Sequence, residues 1–161
     1  MNTFLDCQIE KREIKRQPRH TAPGQERTLN RVWIVDDDRN SRLLLARLLN
    51  TTGAIVCSRG FATPDSLLAA LKCQTAPDTI LLDIQLGERQ GVDFIQPIKA
   101  LARGTRILIL TTSYDPPVAL HALQAGASAF VLKCAAFSEI VARILEGKVR
   151  PKQCLRPAVF I

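Results

Sequence analysis

The sequence is short of aromatics, with one Trp, one Tyr and six Phe. Its five cysteines, at 7, 57, 73, 134 and 154, are odd in number and include no CxxC pair. That argues against both a disulfide framework and a structural zinc site, and reduced thiols are the simple reading. No apolar signal core stands at the N-terminus, and no apolar run is long enough to span a bilayer. A cytoplasmic, bacterial protein with no membrane partner is the expectation. No Gly-x-Gly-x-x-Gly follows the first apolar run, which argues against a dinucleotide enzyme. There is no internal repeat.

The net charge of +7 is unevenly spread. Residues 1–30 carry six Lys/Arg against four Asp/Glu, and residues 148–161 carry four Lys/Arg and no acid. Residues 31–147 hold 12 basic and 11 acidic residues, so the body is nearly neutral. Three parts are expected: a flexible basic leader over 1–30, one domain over 31–147 and a short basic tail over 148–161. A basic arm for nucleic acid or an acidic partner is the functional alternative for the leader.

The domain is organised around Ile80-Leu81-Leu82-Asp83. An uninterrupted apolar run suits a strand buried on both faces, as in a parallel sheet. An Asp at the carboxyl end of such a strand points into the crevice where open α/β sheets bind ligands. Around it the pattern alternates. Val32 to Val35 is a strand, and Arg39 to Asn50 a helix with Leu44, Leu45, Leu48 and Leu49 on one face, capped by Asp38 or Asn40 and closed by Gly53. Ala54 to Cys57 is a shorter second strand. Thr63-Pro64 opens a helix to about Cys73 that buries Leu67, Leu68 and Leu71. The third strand is Thr79 to Asp83. A helix from about Val92 to Ala102 contains Pro97, which kinks it or delays its start. Arg106 to Leu110 is the fourth strand, Asp115-Pro116 opens a helix that Gly126 closes, and Ala129 to Leu132 is the fifth strand. A last helix runs from Phe137 to Gly147. Strict β-α alternation predicts a parallel sheet with helices on both faces and right-handed crossovers.

Four strand ends carry polar chemistry: Asp36 and Asp37, Asp83, Thr111 and Lys133. Taken singly, each has a plainer reading: a helix cap or turn for an Asp, a strand-end hydroxyl for Thr111, a solvated lysine for Lys133. Jointly they suit phosphoryl transfer. Adjacent carboxylates resist joint ionisation unless a cation joins them. Mg²⁺ takes one or two carboxylates and keeps waters, so Asp37 and Asp83 with a nearby backbone carbonyl would supply a site. Lys133 would neutralise further charge, Asp83 would attack phosphorus to form an acyl phosphate, and Thr111 would donate to a phosphoryl oxygen.

From Val32 to about Gly147 the sequence resembles the receiver domain of two-component response regulators. Val35-Asp36-Asp37-Asp38 resembles the family's acidic pair, and Leu81-Leu82-Asp83 with Gly91 its phosphoacceptor segment. Phe130-Val131-Leu132-Lys133 resembles the switch aromatic and phosphate-pairing lysine. Ala125-Gly126-Ala127 resembles the turn before the fifth strand.

The resemblance implies a flavodoxin-like, doubly wound five-stranded parallel sheet of order 2-1-3-4-5. It implies Asp83 as phosphoacceptor, and Mg²⁺ held by Asp36, Asp37, Asp83 and the Gln85 backbone carbonyl. Thr111 and Phe130 would be the conformational switch, with Gln85 and Ser113 tuning the phosphoryl lifetime. The implied partners are a sensor histidine kinase or histidine phosphotransfer protein and an output protein, with a homodimer formed on phosphorylation among the possibilities. The chain would be no enzyme beyond its own phosphorylation and dephosphorylation.

Two motifs depart from the family. Cys134 replaces the Pro that follows the lysine, so a trans peptide and a differently shaped loop are expected there. Leu86-Gly87 replaces Met-Pro. The sequence resembles receivers of helix-turn-helix transcriptional regulators, yet only a short basic tail follows. A stand-alone receiver without sequence-specific DNA binding is therefore the leading expectation, and a receiver fragment of a DNA-binding regulator the alternative. An aspartyl-phosphate phosphatase of the dehalogenase type would need an acid where Gln85 stands.

Overall fold

The computed structural model describes residues 29–146. Its elements alternate as the sequence pattern predicts. They are β1 (Asn30–Val35), α1 (Arg39–Asn50), β2 (Ile55–Phe61), α2 (Pro64–Cys73) and β3 (Thr79–Asp83), then a two-residue hairpin of β4 (Gln85–Leu86) and β5 (Arg89–Gln90). A 3₁₀ turn (Gly91–Phe94), α3 (Ile95–Leu101), β6 (Arg106–Thr111), α4 (Pro116–Gln124), β7 (Ala129–Leu132) and α5 (Phe137–Leu145) complete it. The main sheet is parallel, in the order β2-β1-β3-β6-β7. Counting its own five strands along the chain, that is the expected 2-1-3-4-5 order.

Successive strand residues point to opposite faces, and here both faces are covered. Trp33, Val35, Ile80, Leu82, Ile107 and Ile109 pack on one side with α2, α3 and α4, where Leu67, Leu71, Ile95 and Ile98 are buried. Their neighbours Val32, Ile34, Leu81, Leu108, Leu110 and Val131 pack on the other with Leu49 of α1 and Ile140 and Ile144 of α5. This double burial is why the strands read as unbroken apolar runs.

The caps follow the local chemistry. Asp38 accepts the Asn40 N–H at 2.8 Å, Thr63 accepts the Ser66 N–H at 3.3 Å with Pro64 in the first turn, and Asp115 accepts the Val118 N–H at 3.4 Å. Gly53 and Gly126 adopt positive φ, of 67° and 108°, in the turns after α1 and α4.

Four boundaries or faces differ from the sequence reading. First, β2 runs on to Phe61, pairing Trp33, Ile34 and Val35 with Arg59, Gly60 and Phe61 across a register irregularity. It is an edge strand, so its second half tolerates exposed Ser58, Arg59 and Gly60 and loses the apolar signal. Second, the leucine stripe of α1 splits. Leu49 is fully buried, whereas Leu44 and Leu48 are 60% and 40% exposed, because only one edge of the stripe meets the sheet. Third, α3 starts at Ile95 behind the 3₁₀ turn rather than at about Val92, and this is the delay expected of Pro97, which sits in its first turn. Fourth, α5 ends at Leu145, where Arg106 donates to the carbonyls of Ile144 (2.9 Å), Arg143 (3.0 Å) and Glu146. The expected leader, the tail and Gly147 lie outside the described residues.

The α1 result sets a stability contrast. Leu49→Ala should lower the unfolding free energy by about 2–5 kcal/mol through loss of buried surface and the cavity left behind. Leu44→Ala should change it by about 0.5 kcal/mol or less. Urea denaturation of the two variants checks this, and equal losses would mean that Leu44 is packed.

Candidate functional site

The carboxyl ends of β1, β3, β6 and β7 surround one crevice of about 500 Å³, whose lining includes Asp36, Asp37, Asp83, Gln85 and Lys133. Each side chain is placed by the ladder beneath it. The Asp36 N–H bonds to the Phe61 carbonyl at 3.1 Å, and the Lys133 N–H bonds to the Thr111 carbonyl at 2.6 Å, so pairing carries on past β1 and β7.

Asp36 is 1% exposed and fully engaged. One oxygen accepts the Asp38 N–H at 2.9 Å. The other accepts the Ser41 hydroxyl at 2.8 Å and the Lys133 ammonium at 2.9 Å. Asp83 accepts the same ammonium at 2.7 Å on one oxygen and the Gln85 N–H at 3.3 Å on the other. Asp37 is exposed and accepts the Gly87 N–H at 3.0 Å. Oxygens of Asp36, Asp37 and Asp83 lie within 4.8 Å of one another.

That donor set is all carboxylate oxygen, with no imidazole or thiolate among the three, and it fits a hard divalent cation. Asp36 already accepts three bonds, so Asp37 and Asp83 are its more available members.

Burial pushes the Asp83 carboxyl up, and the nearby Asp36 charge adds to this, against the lowering pull of Lys133 and the Gln85 N–H. Burial pulls the Lys133 ammonium down, but its bonds to Asp83 and Asp36 outweigh this and leave it above the ordinary lysine value. The two directions agree physically. One ammonium is shared by two carboxylates, so Lys133 is doubly stabilised while Asp83 is only partly compensated.

Gly91 explains how the loop after Asp83 can close. A Cβ there would fall on the Asp83 carbonyl oxygen and lie 3.0 Å from its carbonyl carbon and 3.2 Å from the Ile84 Cα. The Gly91 N–H bonds to the Ile84 carbonyl at 2.6 Å. Gly87, standing where the family has Pro, has φ of 64° and offers an N–H that Pro lacks. The described residues contain no cis peptide bond, so the Lys133–Cys134 bond is trans.

Of the site residues expected from sequence, Asp36, Asp37, Asp83, Gln85 and Lys133 are brought together in the crevice, whereas Thr111 and Phe130 are not among its lining residues. Thr111 is buried at the end of β6, but its hydroxyl donates to the Ser113 carbonyl at 2.9 Å and accepts the Ser113 N–H at 3.3 Å. Phe130 is half-buried against the core, with Tyr114 edge-on at 5.8 Å. Ser41, Gly87 and Arg89 were not legible as site residues. Ser41 lies one helical turn past the acidic stretch, the one cue that could have drawn attention to it.

The electrostatics give a pH test in metal-free buffer. Asp83 holds its proton more tightly folded than unfolded, so folding stability falls as pH rises from the unfolded carboxylate pKa through the folded one. Asp83→Asn should therefore be more stable than wild type at pH 7, by on the order of 1 kcal/mol, with the gap closing in acid. Lys133 acts in the same direction at the alkaline end of the scale: its contribution is complete below the ordinary lysine pKa and is lost as pH rises through its raised value. Denaturant titrations from acid to neutral pH check the first claim, and a variant no more stable than wild type at pH 7 would contradict it.

The family model for the response regulator receiver domain matches residues 32–145. A protein-glutamate methylesterase/protein-glutamine glutaminase of Burkholderia thailandensis is 31% identical over 140 residues, covering 80% of this chain and 39% of that protein. The DNA-binding transcriptional regulator NtrC of Salmonella typhimurium is 34% identical over 113 residues, covering 70% of this chain and 24% of that protein. The chain thus spans well under half the length of these relatives. Among solved structures, a response regulator from Burkholderia pseudomallei with a phosphorylated aspartic acid, calcium ion and citrate is 28% identical with TM-score 0.65, covering 71% of this chain and 66% of that one. With the matched residues running from β1 to the end of α5 and enclosing the whole crevice, this chain belongs to the response regulator receiver domain family.

Proposed function

We propose that Asp83 accepts a phosphoryl group from a histidine kinase or histidine phosphotransfer protein, and that the acyl phosphate switches the surface around α4 and β7. The observation that carries this is the nearly buried Asp83 carboxylate, 2.7 Å from the Lys133 ammonium and beside two further carboxylates. The phosphorylated aspartic acid and calcium ion of the Burkholderia pseudomallei relative support it. Mg²⁺, held by Asp37, Asp83 and the Gln85 carbonyl, would neutralise charge on the incoming phosphoryl group.

Asp83 supplies the nucleophilic oxygen, and the partial compensation of its charge leaves it an available electron pair. Asp36, held by Ser41 and the Asp38 N–H, keeps the Lys133 ammonium over Asp83. Once phosphoryl oxygens stand there, Lys133 pairs with them. The Thr111 hydroxyl leaves the Ser113 carbonyl to donate to one of them, and Phe130 moves with it, ending its edge contact with Tyr114.

The donor protein would dock beside the crevice. Leu44 and Leu48 of α1 are exposed there, and with Phe137 and Ile140 of α5 and Lys133 they line an apolar groove of about 250 Å³. Tyr114, Leu120 and Leu123 give the α4 side an exposed apolar surface for an output protein or a second copy. No helix of the described residues is long and apolar enough to cross a membrane, and a cytoplasmic location fits this role. On this reading the chain catalyses only its own phosphorylation and dephosphorylation.

Incubation with acetyl phosphate and Mg²⁺ should add one phosphoryl group by intact mass, and Asp83→Asn should abolish it. A variant labelled like wild type would sink the assignment. Thr111→Ala should still be labelled but should show a smaller hydrogen-exchange change over residues 113–135 with beryllofluoride; an undiminished change would remove the hydroxyl from the switch. Asp37→Ala should weaken Mg²⁺ binding by about tenfold or more, because so few protein ligands hold the ion. Calorimetry gives the affinity, and an unchanged value would take Asp37 out of the site.

A further inference from the structure

We propose that Arg89 is a specificity-determining residue that recognises the dianionic phosphoryl group of a small acyl phosphate at the mouth of the crevice. The inference rests on the reading of Asp83 as phosphoacceptor. Lys133, the lysine of the crevice, is already held between Asp36 and Asp83 at 2.9 and 2.7 Å. Asp36, Asp37, Asp38 and Asp83 all line the same space. Even with Lys133 charged and a divalent cation bound, four carboxylates leave one net negative charge facing an anionic substrate. Arg89 lines that space too.

Its side chain is already positioned. The guanidinium lies over the Phe94 ring at 4.3 Å, and one terminal nitrogen pairs with Asp65 at the start of α2. Both members of that pair are exposed, Arg89 by 49% and Asp65 by 67%, so it is weak and exchangeable. It uses one nitrogen of a group with five N–H donors, whose planar fork matches phosphate oxygens. The ring therefore orients the fork while Asp65 leaves most of it for an anion.

In the step served, an Asp83 oxygen forms a bond to phosphorus as the bond from phosphorus to the acetate oxygen breaks. Acetate leaves with the electron pair, and no proton moves.

The plainer role for Arg89 is a tie between the β4–β5 hairpin and α2, and substitutions separate the two. With acetyl phosphate, Arg89→Gln should raise the apparent KM about 5- to 10-fold with little change in kcat, as expected for loss of a partly exposed charge-assisted contact. With phosphoramidate, which carries less negative charge at pH 7, the change should be about twofold or less. Arg89→Lys should recover part of the loss. Asp65→Ala breaks the tie but frees the guanidinium, so its KM for acetyl phosphate should stay level or fall.

If Asp65→Ala and Arg89→Gln raise KM alike, or Arg89→Gln affects both donors equally, the inference is overturned and Arg89 is a structural tie. If wild type is labelled by neither donor, the phosphoacceptor reading fails instead. Labelling of Arg89→Gln at the wild-type KM would refute the role of Arg89 alone.

Discussion

One ammonium group governs the crevice. Lys133 holds two nearly buried carboxylates, Asp36 and Asp83, which would otherwise repel in a weakly solvated setting. Sheet order makes this a demanding arrangement. Lys133 follows β7 and Asp83 ends β3, with β6 between them, so two strand spacings, roughly 10 Å, must be bridged above the end of β6. A long flexible stem can do this, and the residue closing β6 must not stand in its path. Thr111 is small enough and keeps its hydroxyl bound to its own loop. The ladder bond from the Lys133 N–H to the Thr111 carbonyl fixes where that stem begins. The identity of the residues at three strand ends thus follows from one ion pair and the order of the strands.

The two ends of the sheet solve opposite problems. At the amino ends, buried polar groups are neutral and mutually bonded: Thr79 donates to Asn30 at 3.2 Å, Asn30 to the Ile144 carbonyl at 3.3 Å, and Thr105 to the Pro77 carbonyl at 2.8 Å. No buried side-chain polar atom among the described residues lacks a partner. At the carboxyl ends the polar groups are charged, and the bonds that satisfy them still leave Asp83 undercompensated. Carboxylates gathered, as a cation site would require, lower the stability of the fold without the cation, a common trade between function and stability.

Much of this was legible in the residues, for a physical reason. Strands buried on both faces write unbroken apolar runs, and polar residues ending four such runs stand out against them. The strand order came instead from resemblance to a family, since alternation alone fixes only parallel pairing. What the sequence hid shares a cause as well. The second half of β2 is an edge and carries no apolar signature. The α1 stripe marks helix and amphipathicity but not which leucines meet the sheet, and the helix turns Leu49 inward and leaves Leu44 and Leu48 out. Ser41 and Gly87 act through single hydrogen bonds that need the fold before they can be seen.

Gly87 shows how a departure from the family pattern acquires a structural role. A proline there could not donate, whereas the glycine N–H binds one oxygen of Asp37 at 3.0 Å. Asp37 is otherwise exposed, so this bond selects its orientation and leaves its second oxygen open, as a cation ligand would require. Outer hydrogen bonds that orient a metal ligand raise its effectiveness without touching the metal. The same bond ties the loop after Asp83 to the end of β1, and that loop closes on Asp83 and Ile84 only because residue 91 is a glycine. The loop that lacks the family's proline is therefore held by the carboxylate it helps to aim, beside the residue that would take the phosphoryl group.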